Sequence, residues 1–261
     1  MNSKFSLRIL LNSFLLSIVV TVNCFSQENA SNNAVHSLSF QLINEQIKDE
    51  FNYGIAFYGG ALGLSYRYEK FNTKTIFRYD ANASAGLNYS KGIGLSAVFN
   101  PMEISYFIKI GHKDRDINFF IGAYSKANYR LQLYPELHSG HIFWLTNYDI
   151  GAKFYTSLKF GKHKINVNLT NSFLTMYSRP VENPETYFYD LSLSNYINQS
   201  HKNLDVFRNP KYRNSSVEVE YNIGSDSNSI FVYKLDHIIL KGFNGINILC
   251  HTFSIRKKLS K

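Results

Sequence analysis

The chain has 261 residues, a formal net charge of +9, and an aromatic content built from 19 Tyr and 21 Phe against a single Trp. That length suits one large domain or two small ones, and the composition excludes a disordered or collagen-like chain. With 44% hydrophobic residues but a slightly negative mean hydropathy, the apolar residues must be dispersed among polar ones rather than gathered into long runs.

At the N-terminus, Lys4 and Arg8 precede the apolar stretch LLNSFLLSIVVTV, and CFS follows before Gln27. A charged region, a hydrophobic region and small residues come in the order of a secretory signal, so residues 1–26 are expected to be removed. Two other readings fit less well. As a membrane anchor the run is interrupted by Asn12 and falls short of the ~20 apolar residues a spanning helix needs. As a lipid attachment site, Cys24 follows Asn23, a poor match to the small residue such processing prefers. Cleavage leaves Cys250 as the one cysteine, so no internal disulfide forms although export permits one. It also leaves an excess of seven positive charges. Such an excess suits anionic lipid headgroups, lipopolysaccharide or nucleic acid. Export argues against nucleic acid, and the bases are scattered rather than clustered.

Beyond the signal no apolar run reaches the ~18 residues of a membrane helix; instead the chain alternates with a period of two, as strand geometry dictates. Successive segments place Leu62, Leu64, Tyr66 and Tyr68 against Ser65, Arg67 and Glu69. Phe77, Tyr79, Ala83 and Leu87 oppose Arg78, Asp80, Asn82 and Ser84. Met102, Ile104, Tyr106, Ile108 and Ile110 oppose Glu103, Ser105 and Lys109, and Ile117 to Leu131 oppose Asn118, Lys126, Asn128 and Arg130. The clearest case is NYDIGAKFYTSLKF, with Tyr148, Ile150, Phe154 and Leu158 on one side and Asp149, Lys153 and Lys159 on the other. Ile165, Val167 and Leu169 then alternate with Lys164, Asn166 and Asn168, and Val217 and Val219 with Glu218 and Glu220. In SIFVYKLDHIIL apolar residues occupy both parities, and it is assigned mainly by its neighbours.

About ten strands result, near 37–47, 60–70, 74–88, 101–111, 117–131, 147–160, 164–177, 212–224, 229–240 and 245–257; boundary errors of ~2–4 residues allow eight to twelve. Short polar links near 71–74, 111–116, 161–164 and 224–229 alternate with longer ones near 48–58, 88–101, 132–146 and 178–211. All are rich in turn-forming residues, and the five prolines fall in the longer ones or at their edges.

A strand with one apolar face fits a soluble sandwich, with that face inside, or a membrane barrel, with that face outside. Backbone amides in hydrocarbon must all be paired, so a sheet spans only when closed, over strands of ~9–11 residues. The segments here reach that length, whereas soluble strands usually stop near ~5–6. Aromatic residues recur toward strand ends, as at Tyr106, Tyr129, Tyr148, Phe160 and Tyr177, and the polar face carries both charge signs.

Signal, alternation, link lengths and even strand count together resemble Gram-negative outer-membrane β-barrel proteins over essentially the whole mature chain, 27–261. The departure is the C-terminus, SIRKKLSK, where such proteins often end on an aromatic residue; a last strand that stops early, followed by a basic tail, would explain it. The resemblance implies an all-β, closed antiparallel barrel in the outer membrane. Its lumen is expected to receive Arg78, Asp80, Glu103, Lys109, Lys126, Arg130, Lys153, Lys159, Glu218 and Glu220. Its lipid face is expected to carry Tyr148, Ile150, Phe154, Leu158, Ile165, Val167, Leu169, Val217 and Val219. Partners are then outer-membrane lipid, lipopolysaccharide and the barrel-assembly machinery during insertion.

For function, the expectation is a non-enzymatic small channel, binding or adhesion protein, or structural component, without cofactor. A wide porin is disfavoured because the lumen of so few strands is filled by side chains. The competing reading is a barrel hydrolase acting on lipid, with Ser200 and His201 in the long loop as nucleophile and base. A protease site would place Asp149 with His138 or His141 at the mouth, without a recognisable motif. The pair in HSGH lacks an evident third metal ligand. His237 and His251 fall on the outer face as strand-end residues, and GIG and GGALG lack the strand-to-helix setting of a phosphate cradle.

Overall fold

The computed structural model describes residues 33–259 except 51–53, 91, 112–115, 135–140, 181–199, 202–203, 209–210, 225–227 and 242–244. The expected signal, with Cys24, and most of the long loop lie outside the described residues. The strands are β1 (Asn33–Asp49), β2 (Ile55–Phe71), β3 (Thr75–Tyr89), β4 (Ile93–Ile110), β5 (Ile117–Tyr134), β6 (His141–Phe160), β7 (His163–Ser178), β8 (Asp205–Arg208), β9 (Tyr212–Ile223), β10 (Ser229–Leu240) and β11 (Ile246–Leu259).

Each strand from β2 to β11 pairs antiparallel with its predecessor except β9, which pairs with β7, and β11 returns to β1 in a ladder from His36↔Leu259 to Asp49↔Ile246. β8 and β9 lie along the same side of β7, which meets Arg208 at Leu174 and Ser215 at Asn171, so the two act as one interrupted stave. The result is a closed all-β barrel of ten staves, one of them made of β9 and the short extra strand β8. Closure joins the first and last strands, so the ladders run round the ring and satisfy the strand amides among themselves as a membrane-spanning sheet requires. Where the link between β6 and β7 shrinks to two residues, Gly161 takes a φ of 57°, the left-handed conformation a tight hairpin demands.

Three features differ from the sequence reading. First, strands run further at the end away from the hairpin turns: β2 starts at Ile55, β4 at Ile93 and β6 at His141, and β5 extends to Tyr134. Three of the four expected long connections contract to 50–54, 90–92 and 135–140, and only 179–204 remains long. The reason is that the barrel interior turns apolar there, so both parities carry hydrophobic residues and the alternation that marks a strand fades. Second, β4 and β7 change parity within their length. A bulge between Phe99 and Met102 puts Ser96 and Asn100 on the same inner face as Glu103, Ser105 and Phe107. Pro101 sits in that bulge, inside a strand rather than in a connection, and its carbonyl accepts the Tyr79 hydroxyl at 2.8 Å. A second bulge near Phe173 brings Thr175 onto the inner face with Ser172. Third, β11 does not stop near Phe253: the basic residues Arg256 to Lys258 are ladder members opposite Ser39 to Ser37.

Outward residues are apolar and exposed, among them Leu38, Phe40, Leu64, Ile108, Phe119, Phe154 and Phe253. Buried polar residues include Arg67, Arg78, Glu45, Asp149, Lys153 and Glu220. This is an inside-out distribution: the charges are enclosed and the oily surface faces outward.

Candidate functional site

The interior is built in three levels from the turn end upward. At the lowest, Arg67 on β2 contacts Asp80 on β3 and reaches across the barrel to Glu220 and, at 3.0 Å, Glu218 on β9. Arg256 on β11 contacts Glu220 from the other side and lies 3.8 Å from Glu218. Asn166 donates to the free oxygen of Glu220 at 2.9 Å. Arg78 pairs with Glu69 at 2.8 Å and stacks over the rings of Phe107 and Tyr155. Lys153 contacts Glu103, donates to Ser105 at 2.8 Å and lies over the ring of Tyr124. That ring occupies space which only a glycine at 151 leaves open, since a Cβ there would overlap it. Lys126 completes the group 3.6 Å from Glu103.

Above lies a cavity of about 80 Å³, lined by Glu45, Lys126, Arg130, Lys234, Asp236 and Cys250 among others. It has room for on the order of five waters. Arg130 is paired with Glu45, its Nη2 is 3.6 Å from the Cys250 thiol, and Lys234 holds Asp236 at 2.9 Å. Asp149 accepts from Asn147 at 2.7 Å, Thr175 at 2.6 Å and Asn214 at 2.7 Å. It is thus a fully buried structural acceptor, not a catalytic acid at the mouth. His138 and the side chain of His141 lie outside the described residues.

The third level closes the loop end. Ile47, Leu145, Tyr212, Ile238, Leu240, Ile246 and Ile248 meet across the barrel, and Phe57, Tyr134 and Phe143 form a second cluster beside them. Arg179, just past β7, binds Asp49 at 2.6 Å with both side chains buried. Among the described residues, no group of three metal-ligating side chains converges.

Of the residues expected in the lumen, Arg78, Asp80, Glu103, Lys126, Arg130, Lys153, Glu218 and Glu220 belong to these levels. Lys109 bonds Asn118 near the turns, and Lys159 is exposed at the turn end. Tyr148, Ile150, Phe154, Leu158, Ile165, Val167, Leu169, Val217 and Val219 occupy the outward parity, with Phe154 51% and Leu169 45% exposed. Arg67, Arg256 and Glu45 also face the lumen, beyond the residues expected there from sequence. Their signal was present: each shares parity with small polar neighbours, Arg256 with Thr252 and Glu45 with Ser39 and Gln41.

Ser200 and His201 are brought together, with Oγ 3.2 Å from Nδ1, but on the outside wall. His201 Nε2 faces the hydroxyls of Tyr148 at 2.8 Å and Tyr129 at 3.2 Å. Ser200 is fully buried. A nucleophile needs an open approach and a base whose far nitrogen is held by an orienting group; here the far nitrogen anchors the loop to two tyrosines.

No family model and no curated protein matches the chain. Among solved structures it is similar to the outer membrane protease OmpT from Escherichia coli, with TM-score 0.46 and 7% identity over 90% of this chain and 100% of that one. It is also similar to an outer membrane channel from Pseudomonas putida F1, with TM-score 0.39 and 8% identity over 90% and 98%. Neisserial surface protein A gives TM-score 0.35 and 10% identity over 87% and 99%. Likeness at this level carries no argument about activity. What defines the class is the chain itself: a hydrogen-bonded ring, an apolar outside and an ion-filled inside make it an integral outer-membrane β-barrel.

Proposed function

We propose that this barrel is sealed, and that it acts through binding or adhesion at its exposed end, or as a structural element of the membrane, rather than by conducting solutes. One observation carries the reading: the lumen is blocked twice, by the ion-pair layer around Arg67 and Glu220 and by the apolar layer around Ile47, Leu145 and Tyr212. An ion passing the first must displace paired charges already held in a low-dielectric space; passing the second strips its hydration against an apolar layer whose buried Asp49 is already paired with Arg179. The cavity between the two levels is a chamber, not a path. In this reading the loop end faces outward from the cell, and residues 1–26 serve export. Purified protein in a planar bilayer is expected to give no discrete current steps, and reproducible steps from the unaltered chain would overturn the proposal.

The hydrolase reading rests on the Ser200–His201 contact alone. Its test is acyl-ester hydrolysis of phospholipid in detergent by the unaltered protein and His201→Ala. No turnover is expected from either, whereas turnover that disappears with the substitution would establish an enzyme.

A further inference from the structure

The apolar outer belt is not the same height all round. On β5 outward apolar residues continue from Ile117 and Phe119 to Leu131 and Leu133, and on β4 they reach Leu95 and Ile93, about half exposed. On β1 they stop at Leu42, and Asn44, Gln46 and Lys48 follow on the same face. On β9 they stop at Val217, and Ser215 and Arg213 follow; on β10 Leu235 is followed on the outward face by His237 and then by a single apolar residue, Ile239. The change is local and sharp: Gln46 on β1 donates to the outward Tyr58 of β2 at 3.4 Å, so the polar wall abuts the apolar one.

Where polar residues interrupt the belt on β9 and β10, positive charge collects at its rim. Lys211 and Lys241 close the loop ends of β9 and β10, joined by the Lys241 amide donating to the Lys211 carbonyl at 2.8 Å, and both side chains are exposed. Arg213 is exposed beside them, its register partner Ile239 lying between His237 and Lys241. Arg213 Nε donates to Ser215 Oγ at 2.8 Å, and that hydroxyl donates to Asn171 Oδ1 at 2.8 Å, which fixes the guanidinium on the outer wall. Directly below are Val217 and Leu235, themselves register partners.

We propose that this corner of β9 and β10 is a binding site for a phosphorylated outer-leaflet lipid of the lipid A type. Lys211, Arg213, Lys241 and His237 hold its phosphates, and the acyl chains lie down the belt over Val217 and Leu235. The inference rests on the membrane-embedded reading of the barrel and adds a specific ligand and place to it. Two matched parts make the case: a fixed guanidinium with two ammonium groups complements phosphate, and it sits on the rim of a surface already committed to hydrocarbon. A free anion would use only the first part.

The test is native mass spectrometry of the detergent-purified protein titrated with lipid A bearing two phosphates, with the same lipid dephosphorylated, and with inorganic phosphate as competitor. The phosphorylated lipid is expected to bind at least about tenfold more tightly than the dephosphorylated one, and K211Q/R213Q/K241Q to lose most of that preference, while K48Q/K70Q stays within about twofold of the unaltered protein. Equal affinity for the two lipids, or an equal loss in K48Q/K70Q, would overturn the proposal. Displacement of the lipid by millimolar inorganic phosphate would make this a free-anion site and overturn it too. The two-lipid comparison uses unaltered protein, so it stands even if the triple variant misfolds, and it is independent of whether the barrel conducts.

Discussion

Arg67 and Glu220 lie on strands that are not neighbours in the ring, 153 positions apart in sequence, yet their side chains are in direct contact inside the barrel. The contact ties opposite walls together, and Arg67 is shared among Asp80, Glu218 and Glu220. Substituting Arg67→Met leaves three enclosed carboxylates short of a counter-charge, and breaking a buried pair on one side costs about 3–5 kcal/mol. The expected outcome is a lower urea midpoint for the folded barrel in lipid vesicles. Adding Glu220→Gln to the same chain removes one stranded charge and is expected to recover part of the loss. A double variant as unstable as the sum of its single changes would show that the two residues do not interact.

The lumen has two closures in series, so opening one leaves the other as the barrier. Tyr212→Ala thins only the apolar layer, of which Tyr212 is a fully enclosed member. Arg67→Ala with Arg256→Ala thins only the ionic layer. Neither change alone is expected to produce current steps in a planar bilayer, while the three substitutions combined are. Steps from Tyr212→Ala by itself would mean that the ionic layer already passes ions and is no seal.

How deep each outward residue sits in the membrane can be read from charge substitutions. Val217 lies within the belt on β9 and is 38% exposed, while Arg213, four residues along the same face, lies at its rim. An arginine near the bilayer midplane of a barrel costs about 2–4 kcal/mol, falling to about 0–1 at the interface. Val219→Arg, deeper on the same face, is therefore expected to lower the unfolding free energy measured in vesicles by that larger amount, and Val217→Arg, at the upper edge of the belt, by an intermediate one. Arg213→Val is expected to change it little. Equal effects would place these residues at one depth and remove the step in the belt.

The spanning halves of the strands were legible from parity alone because lipid outside and ion pairs inside impose opposite chemistry on successive residues. In β6 this holds from Asn147 to Phe160, but Phe143, Trp144, Leu145 and Thr146 are all buried on both faces, so no alternation marks the strand there. The same physics hid the loop end of β10, where Ile238 and Leu240 point into the apolar layer while Ile239 points out. Bulges were illegible for another reason: one extra residue in β4 shifts the inner face from even to odd numbers, and nothing in the residue types marks the shift except Pro101. The ion network itself depends on which walls meet across the barrel. Parity shows that Arg67 faces inward, but only closure of the ring shows that it meets Glu220.

His201 joins the long loop to the outer wall, and its effect on stability separates anchoring from catalysis. The Tyr129 and Tyr148 hydroxyls are 2.7 Å apart, with rings edge to face, and the imidazole contacts both. Removing it with His201→Ala deletes the imidazole's hydrogen bond to the tyrosine pair, worth about 0.5–1.5 kcal/mol, at a place where the loop rather than the barrel depends on it. Faster protease nicking between Arg179 and Asp205 is therefore expected, with the barrel's urea midpoint nearly unchanged. His201→Gln can still offer a donor to the tyrosines and is expected to restore part of the protection. If nicking were as slow in His201→Ala as in the unaltered chain, the imidazole would not be what holds the loop down.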